Sequence, residues 1–228
     1  MASTYTPLGI ELMATGENAG TWGTKTNNNL NLIEQLTGGF ATVSIAGGAG
    51  TTTLDIDDGA LTGTAQQRVI EFTGSITGNR IVTIPNDVET FYILKNSTSG
   101  AYTVQFKYAT GSGSSTTFST TDKGTKIVYA TANDGTNPDI VDVMANSSEI
   151  SLVNNNPIKF QDATGGEFVG IDAPATVSGS YTLTLPAAVG STSQALVTTD
   201  GSGTLGFTST SSFGISTGKA IAMAIVFG

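Results

Sequence analysis

Histidine and cysteine are both missing from the 228 residues of this chain. Without histidine there is no Ser-His-Asp or Cys-His nucleophile pair, no imidazole-bound zinc and no ordinary proton shuttle at neutral pH. Without cysteine there is neither a disulfide framework nor a thiolate metal site. Charge is scarce as well: acidic and basic residues make up 12%, the formal net charge is −9, and no basic run occurs. Nucleic acid, whose phosphates call for clustered Lys and Arg, is therefore not an expected partner. No stretch approaches the roughly 20 apolar residues that cross a bilayer, so membrane insertion is not expected. The opening MASTYTPLG has no basic segment leading into an apolar core, and no signal peptide is expected.

Carboxylates are what remain for catalysis. A glycosidase needs two of them set around a sugar cleft, yet no pair of Asp or Glu stands out, and one Trp and six Tyr offer few stacking platforms. Neither an enzyme nor a cofactor is expected. The Asp55-Ile56-Asp57-Asp58-Gly59 stretch offers oxygen ligands for Ca²⁺, but it lacks EF-hand spacing and reads as a solvated acidic turn. Gly201-Ser202-Gly203-Thr204-Leu205-Gly206 matches G-x-G-x-x-G in form alone. No helix can start at Phe207-Thr208-Ser209, so Asp200-Gly201 reads as a hairpin turn.

What the chain has is glycine, 29 residues of it, with Ser, Thr and Asn at most polar positions. That composition suits short strands joined by tight turns, and the regular recurrence of apolar residues separates it from disordered sequence. One stretch departs from the pattern. Within residues 16–39, Leu30, Ile33 and Leu36 fall on one helical stripe with Leu32 beside it. Thr24, Thr26 and Asn27 offer caps for the first turn, and Gly38-Gly39 a stop. A helix of about three turns is marginal alone, so this stripe needs cover from the rest of the chain or from other copies.

The fold expected is mainly β: an N-terminal extended arm and short helix (1–39), then two small antiparallel β modules (40–145 and 158–212). A polar linker (146–157) separates the modules, and an apolar strand (213–228) ends the chain. Leu8, Ile10 and Leu12 alternate in the arm, which is too short to fold alone. Regular turns at Gly78-Asn79, Ser99-Gly100, Asp134-Gly135 and Asn137-Pro138 space the strands of the first module as in a sandwich or compact barrel-like sheet. A weak repeat links Gly78–Pro85 with Gly179–Pro186: in both, Thr alternates with apolar residues and Pro ends the strand. Repetition of such units favours an elongated stack.

GENAGTWGTKTNNNLNLIEQ, preceded by residues 5–12, resembles the N-terminal segment of virion structural proteins of tailed bacteriophages, marine phages in particular. TFYILKNSTSGAYTVQFKY, KGTKIVYATANDGTN and LTLPA…TTDGSGTL resemble β modules of phage fibres, and GKAIAMAIVFG resembles the ends of marine phage structural proteins. The resemblance implies a tail fibre or fibre-like appendage on the virion, elongated and homotrimeric, with contacts to other virion proteins and a contribution to host attachment. A capsid head fibre or decoration protein is an alternative. So is a receptor-binding protein that takes a host surface glycan through exposed Tyr and Asn.

Two sets of residues are the expected assembly sites. Around a three-fold axis, Trp22, Leu30, Ile33 and Leu36 would bury what one helix exposes. At the other end, Ile221, Met223, Ile225 and Phe227 alternate with Ala and Val, so both faces of that strand are apolar. We read it as covered by another subunit or a neighbouring virion protein through strand addition, in preference to a last core strand of the second module.

Overall fold

The computed structural model of the chain describes residues 2–152, 156–162 and 165–213. It is mainly β with one α-helix, and it divides into two units, Met1–Ile150 and Ser151–Gly228.

The N-terminal segment is a hairpin rather than an extended arm. β1 (Thr4–Tyr5) pairs antiparallel with β2 (Glu11–Leu12), and the Gly9 amide donates to the Thr6 carbonyl to close the turn. Gly9 has φ +78°, and a Cβ there would meet the Gln66 side chain and the Asp57 carbonyl. Leu8, at the turn, packs against the core of its own unit. Helix α1 (Trp22–Gly38) follows, and the Gly39 amide closes it on the Gln35 carbonyl. It begins two residues ahead of Thr24, which places Thr24, Thr26 and Asn27 inside the helix. No side chain caps it; the Asn18 carbonyl takes the Thr21 and Trp22 amides instead.

The remainder of the first unit winds between two sheets. β3 (Phe40–Ser44), β5 (Val69–Thr73) and β7 (Thr90–Asn96) lie parallel in one; β4 (Gly50–Thr53), β6 (Arg80–Ile84) and β8 (Val104–Tyr108) lie parallel in the other. Each turn of chain thus gives one strand to each sheet. Their corners stack too: Gly47 bridges Ile76, and Ser75 bridges Ser99. Gly100 sits at such a corner with φ +101°, where a Cβ would lie 2.2 Å from the Ile76 carbonyl oxygen. β9 (Thr116–Phe118), β10 (Thr125–Ala130) and β11 (Ile140–Asp142) then add antiparallel strands, giving the orders β4-β6-β8-β9 and β11-β10-β7-β5-β3. The antiparallel pairing expected of this module therefore holds for its last strands, while the first six pair in parallel. Local turn signals carry no record of which strands meet across the sheet.

Strand alternation fills the space between the sheets. Ile70, Phe72, Val82, Ile84, Tyr92, Leu94, Val104, Phe106, Phe118 and Val128 are all fully buried. The Tyr92 and Phe106 rings meet edge to face at 5.7 Å, a favourable aromatic arrangement. The polar groups of Tyr92, Tyr108 and Asn96 inside this core are satisfied. The Tyr92 hydroxyl donates to the Ala65 carbonyl and the Tyr108 hydroxyl to Val88, both at 2.8 Å. Buried Asn96 donates to the Asp122 carbonyl and accepts from the Thr98 hydroxyl.

The second unit holds two antiparallel hairpins, β12 (Ile158–Gln161) with β13 (Phe168–Ile171) and β14 (Gln194–Thr198) with β15 (Leu205–Ser209). The Asp200 carboxylate accepts the Ser202 and Thr204 amides and so shapes the β14–β15 turn. The glycine pattern at 201–206 is thus a hairpin. Tyr181–Leu185, expected as a strand, makes only an isolated bridge from Thr184 to Thr204.

Candidate assembly surfaces

α1 docks on its unit through Leu32 and Leu36 and through polar side chains on the same side. Asn29 accepts the Glu11 amide and donates to the Glu11 carbonyl, both at 2.9 Å, so its side-chain amide pairs with β2 as a strand would. Lys25 lies 3.0 Å from the Glu11 carboxylate, and Asn18 also donates to it. The hydrogen bond from Lys25 holds the Glu11 carboxyl below its usual range and raises Lys25 in turn. Asn28 and Gln35 donate to the carbonyls of Gly59 and Leu61. Leu32 and Leu36 are the helix's buried apolar residues.

The expected stripe therefore splits. Leu36 turns inward with Leu32, while Trp22, Leu30 and Ile33 are exposed by 65%, 58% and 45%. At 100° per residue these three share one side of the helix. The cause lies in Asn28, Asn29 and Gln35, whose amides match backbone carbonyls that a leucine face would leave unpaired.

A second exposed apolar surface lies on the outside of the five-stranded sheet. Cross-strand register puts Phe40, Val69, Ile93 and Ile127 in one row, which Val143 continues through its amide to the Ile127 carbonyl. Beside it Phe91 and Tyr129 pair with ring centroids 4.8 Å apart. Charges near this face are already matched: Glu71 with Lys95 at 2.8 Å and with Ser97, Glu89 with the Tyr129 hydroxyl. The outside of the four-stranded sheet is different, with rows Thr51-Ile81-Gln105-Thr117 and Thr53-Thr83-Lys107. One sheet is clothed for water and the other is not. The sequence carries the signal, because β7 and β10 are apolar at both alternations whereas β8 is not.

The acidic turn is tied up by threonines. Asp55 accepts the Thr64 amide and hydroxyl, and Asp57 accepts the Thr62 hydroxyl. The Thr64 hydroxyl in particular draws the Asp55 carboxyl below its ordinary value. Among the described residues no three Asp, Glu, His or Cys side chains are grouped to hold a metal ion. No described helix is long and apolar enough to cross a membrane. Ile221, Met223, Ile225 and Phe227 lie outside the described residues.

Compared with models of protein families, with curated proteins and with solved structures, the chain matches none.

Proposed function

We propose that this chain is a structural component of a tailed-phage virion: a fibre or fibre-like appendage built from copies of itself, a homotrimer, that contributes to host attachment. The reading starts from the resemblance of residues 5–35 to the N-terminal segment of such proteins. The observation that carries it is the orientation of α1 within that same stretch. A helix that turns its amides inward and Trp22, Leu30 and Ile33 outward is arranged to meet another surface, since single exposed hydrophobics are ordinary but a shared face is not. The apolar outside of the five-stranded sheet adds a second such surface. Neither surface offers groups for bond-making chemistry, and the reading is of a part, not an enzyme.

The decisive experiment is detection of the chain in purified phage particles by mass spectrometry, with gold-labelled antibody to locate it on tail or head. Absence from the particles defeats the reading. In solution, a sedimentation mass of three chains is expected and a mass of one chain defeats the trimer. Removing residues 1–39 is a poor probe, because it strips Leu8 from the core and exposes the 57–66 loop. Replacing Trp22, Leu30 and Ile33 together by Ser leaves the docked side of α1 intact and is expected to weaken assembly.

A further inference from the structure

We infer that the cavity between the N-terminal hairpin, the 55–59 loop and the β6–β7 turn binds an organic cation, an ammonium or guanidinium carried on an apolar stem.

The cavity measures about 520 Å³, within the range of small-ligand sites. Three stretches far apart in sequence form it, and the fold holds each in place. Fully buried Gln66 donates to the Leu8 and Asp57 carbonyls and accepts the Asp57 amide, which locks the hairpin to the loop. The Gly59 amide adds a bond to the Gly9 carbonyl. Gly59 also lets the Tyr5 ring lie close, since a Cβ there would come within 3.0 Å of it. In the β6–β7 turn Asn86 is tied to Thr110 by bonds of 2.7 and 3.1 Å, so the turn that carries Asp87 is fixed as well. Walls set in advance spare the cost of ordering them on binding.

The lining decides the chemistry of the ligand. Tyr5, Pro7, Ile56 and Pro85 give the cavity an apolar part, and Asp58 and Asp87 give it two carboxylates. Neither carboxylate has a hydrogen-bond or ionic partner, unlike neighbouring Asp55 and Asp57, which threonine hydroxyls satisfy. No Lys or Arg lines the cavity, and Thr4 and Thr6 bring hydroxyls that accept as well as donate. Two uncompensated negative charges beside an aromatic ring favour a ligand that is positive and donates hydrogen bonds. The prolines and Ile56 cover its stem. A neutral sugar would satisfy the oxygens and leave both charges unmatched. A bare divalent ion suits the cavity less, because such ions take several oxygens and no three Asp, Glu, His or Cys side chains are grouped among the described residues. A free polyamine and a basic side chain of a neighbouring protein share the required chemistry.

Amide NMR of the full chain at low salt, titrated with butylguanidinium and with neutral butyramide, tests this directly. Butylguanidinium is expected to move the amides of residues 4–6, 56–59 and 86–88 saturably, and butyramide to leave them in place. Asp58→Asn and Asp87→Asn keep the shape of the cavity, and each should weaken binding about three- to tenfold. Amides of β5–β8 should not move in either variant. Spermidine and the peptide acetyl-Gly-Arg-Gly-amide distinguish the sources: the tighter of the two marks a free polyamine or a protein side chain. No movement with butylguanidinium overturns the site, as does equal binding of butyramide or glucose. So does Ca²⁺ moving the same amides at lower concentration, or undiminished affinity in both Asn variants. Virion location is a separate matter: a chain that binds butylguanidinium here yet is missing from phage particles keeps this site and loses the functional reading.

Discussion

The two units are built from the same materials, Thr-rich strands with Gly turns, and they reach opposite outcomes. In the first unit, wound strands stack two sheets face to face, so Phe72, Phe106 and Tyr92 lose all contact with water. In the second, two-stranded hairpins leave Phe160, Phe168 and Phe207 exposed to solvent. What separates the units is a second layer: a sheet buries its apolar face only against another element, and the first unit's two sheets face each other, whereas the described hairpins of the second bury none of their apolar side chains.

The largest effect is expected from cutting the same residue type down in both places. Phe106→Ala removes a fully buried ring and should destabilise the first unit by about 3–5 kcal/mol. That corresponds to a drop of roughly 10 °C in its thermal midpoint for a unit of this size. Phe160→Ala takes away a ring that is 58% exposed, and it should leave that midpoint where it was. Calorimetry separates the two. Equal shifts in the first unit's midpoint would erase the contrast.

Gly100→Ala sharpens the comparison at the level of the backbone. The corner holds φ +101°, and the new Cβ would press within 2.2 Å of the Ile76 carbonyl oxygen in the preceding turn of chain. A loss of about 2 kcal/mol or more is expected in urea unfolding of the first unit. Gly201→Ala, at the tip of the β14–β15 turn with open space around its Cβ position, should cost less than about 1 kcal/mol. Matching losses at both glycines would show that the stacked corner is not special.

How much of this the sequence discloses follows from the kind of information each feature needs. β6, β7 and β12 lie where alternation and turn residues place them, at Arg80–Ile84, Thr90–Asn96 and Ile158–Gln161. Those signals are local. Parallel pairing of Phe40 with Val69 and of Val69 with Ile93 is set by winding over tens of residues, and nothing in either strand announces it. The short β9 at Thr116–Phe118, lost among Ser and Thr, escapes periodicity for want of length. α1 is legible as a helix, but which side docks is decided by Asn28, Asn29 and Gln35 finding carbonyls on other elements. That reversed the role of Leu36 while leaving Leu30 and Ile33 available. The apolar outer row through Ile93 and Ile127 was readable in strands apolar at both alternations, once the other sheet gives the contrast.

Alkali should weaken the first unit. Burial pushes the Tyr108 hydroxyl up to about 12. A raised acid of this kind stabilises the fold fully below its unfolded pKa of about 10 and loses that contribution as pH climbs through the folded value. Unfolding free energy of the first unit should therefore fall between about pH 10 and 12. Tyr92, also raised by burial, adds to the slope. Tyr108→Phe should flatten it while costing about 1–2 kcal/mol at neutral pH for the lost bonds to Val88 and Ala132. An unchanged slope in the Tyr108→Phe variant would place the alkaline sensitivity elsewhere.

The smallest expected effect concerns the join between helix and hairpin, where polar contacts of Glu11, Lys25 and Asn29 tie α1 to β2. Glu11 has its carboxyl lowered, chiefly by the hydrogen bond from Lys25. A depressed carboxyl contributes stability above its unfolded pKa of about 4.3, and that contribution is lost as pH falls through the folded value. Acid should therefore loosen α1 from β2 below about pH 4, while β5–β8, held by an apolar core with the Glu71–Lys95 pair on the outer face, stay closed. Exchange of the α1 amides, corrected for the intrinsic effect of pH, reads this out. Glu11→Gln keeps the shape and removes the titration, so α1 protection in that variant should be lower at neutral pH and no longer change with acid. If α1 of the unaltered chain is as well protected at pH 3 as at neutrality, then Leu32 and Leu36 hold the helix without the Glu11–Lys25 pair. The amide-to-carbonyl contacts of Asn28, Asn29 and Gln35 would in that case be enough to fix which face of the helix is left for assembly.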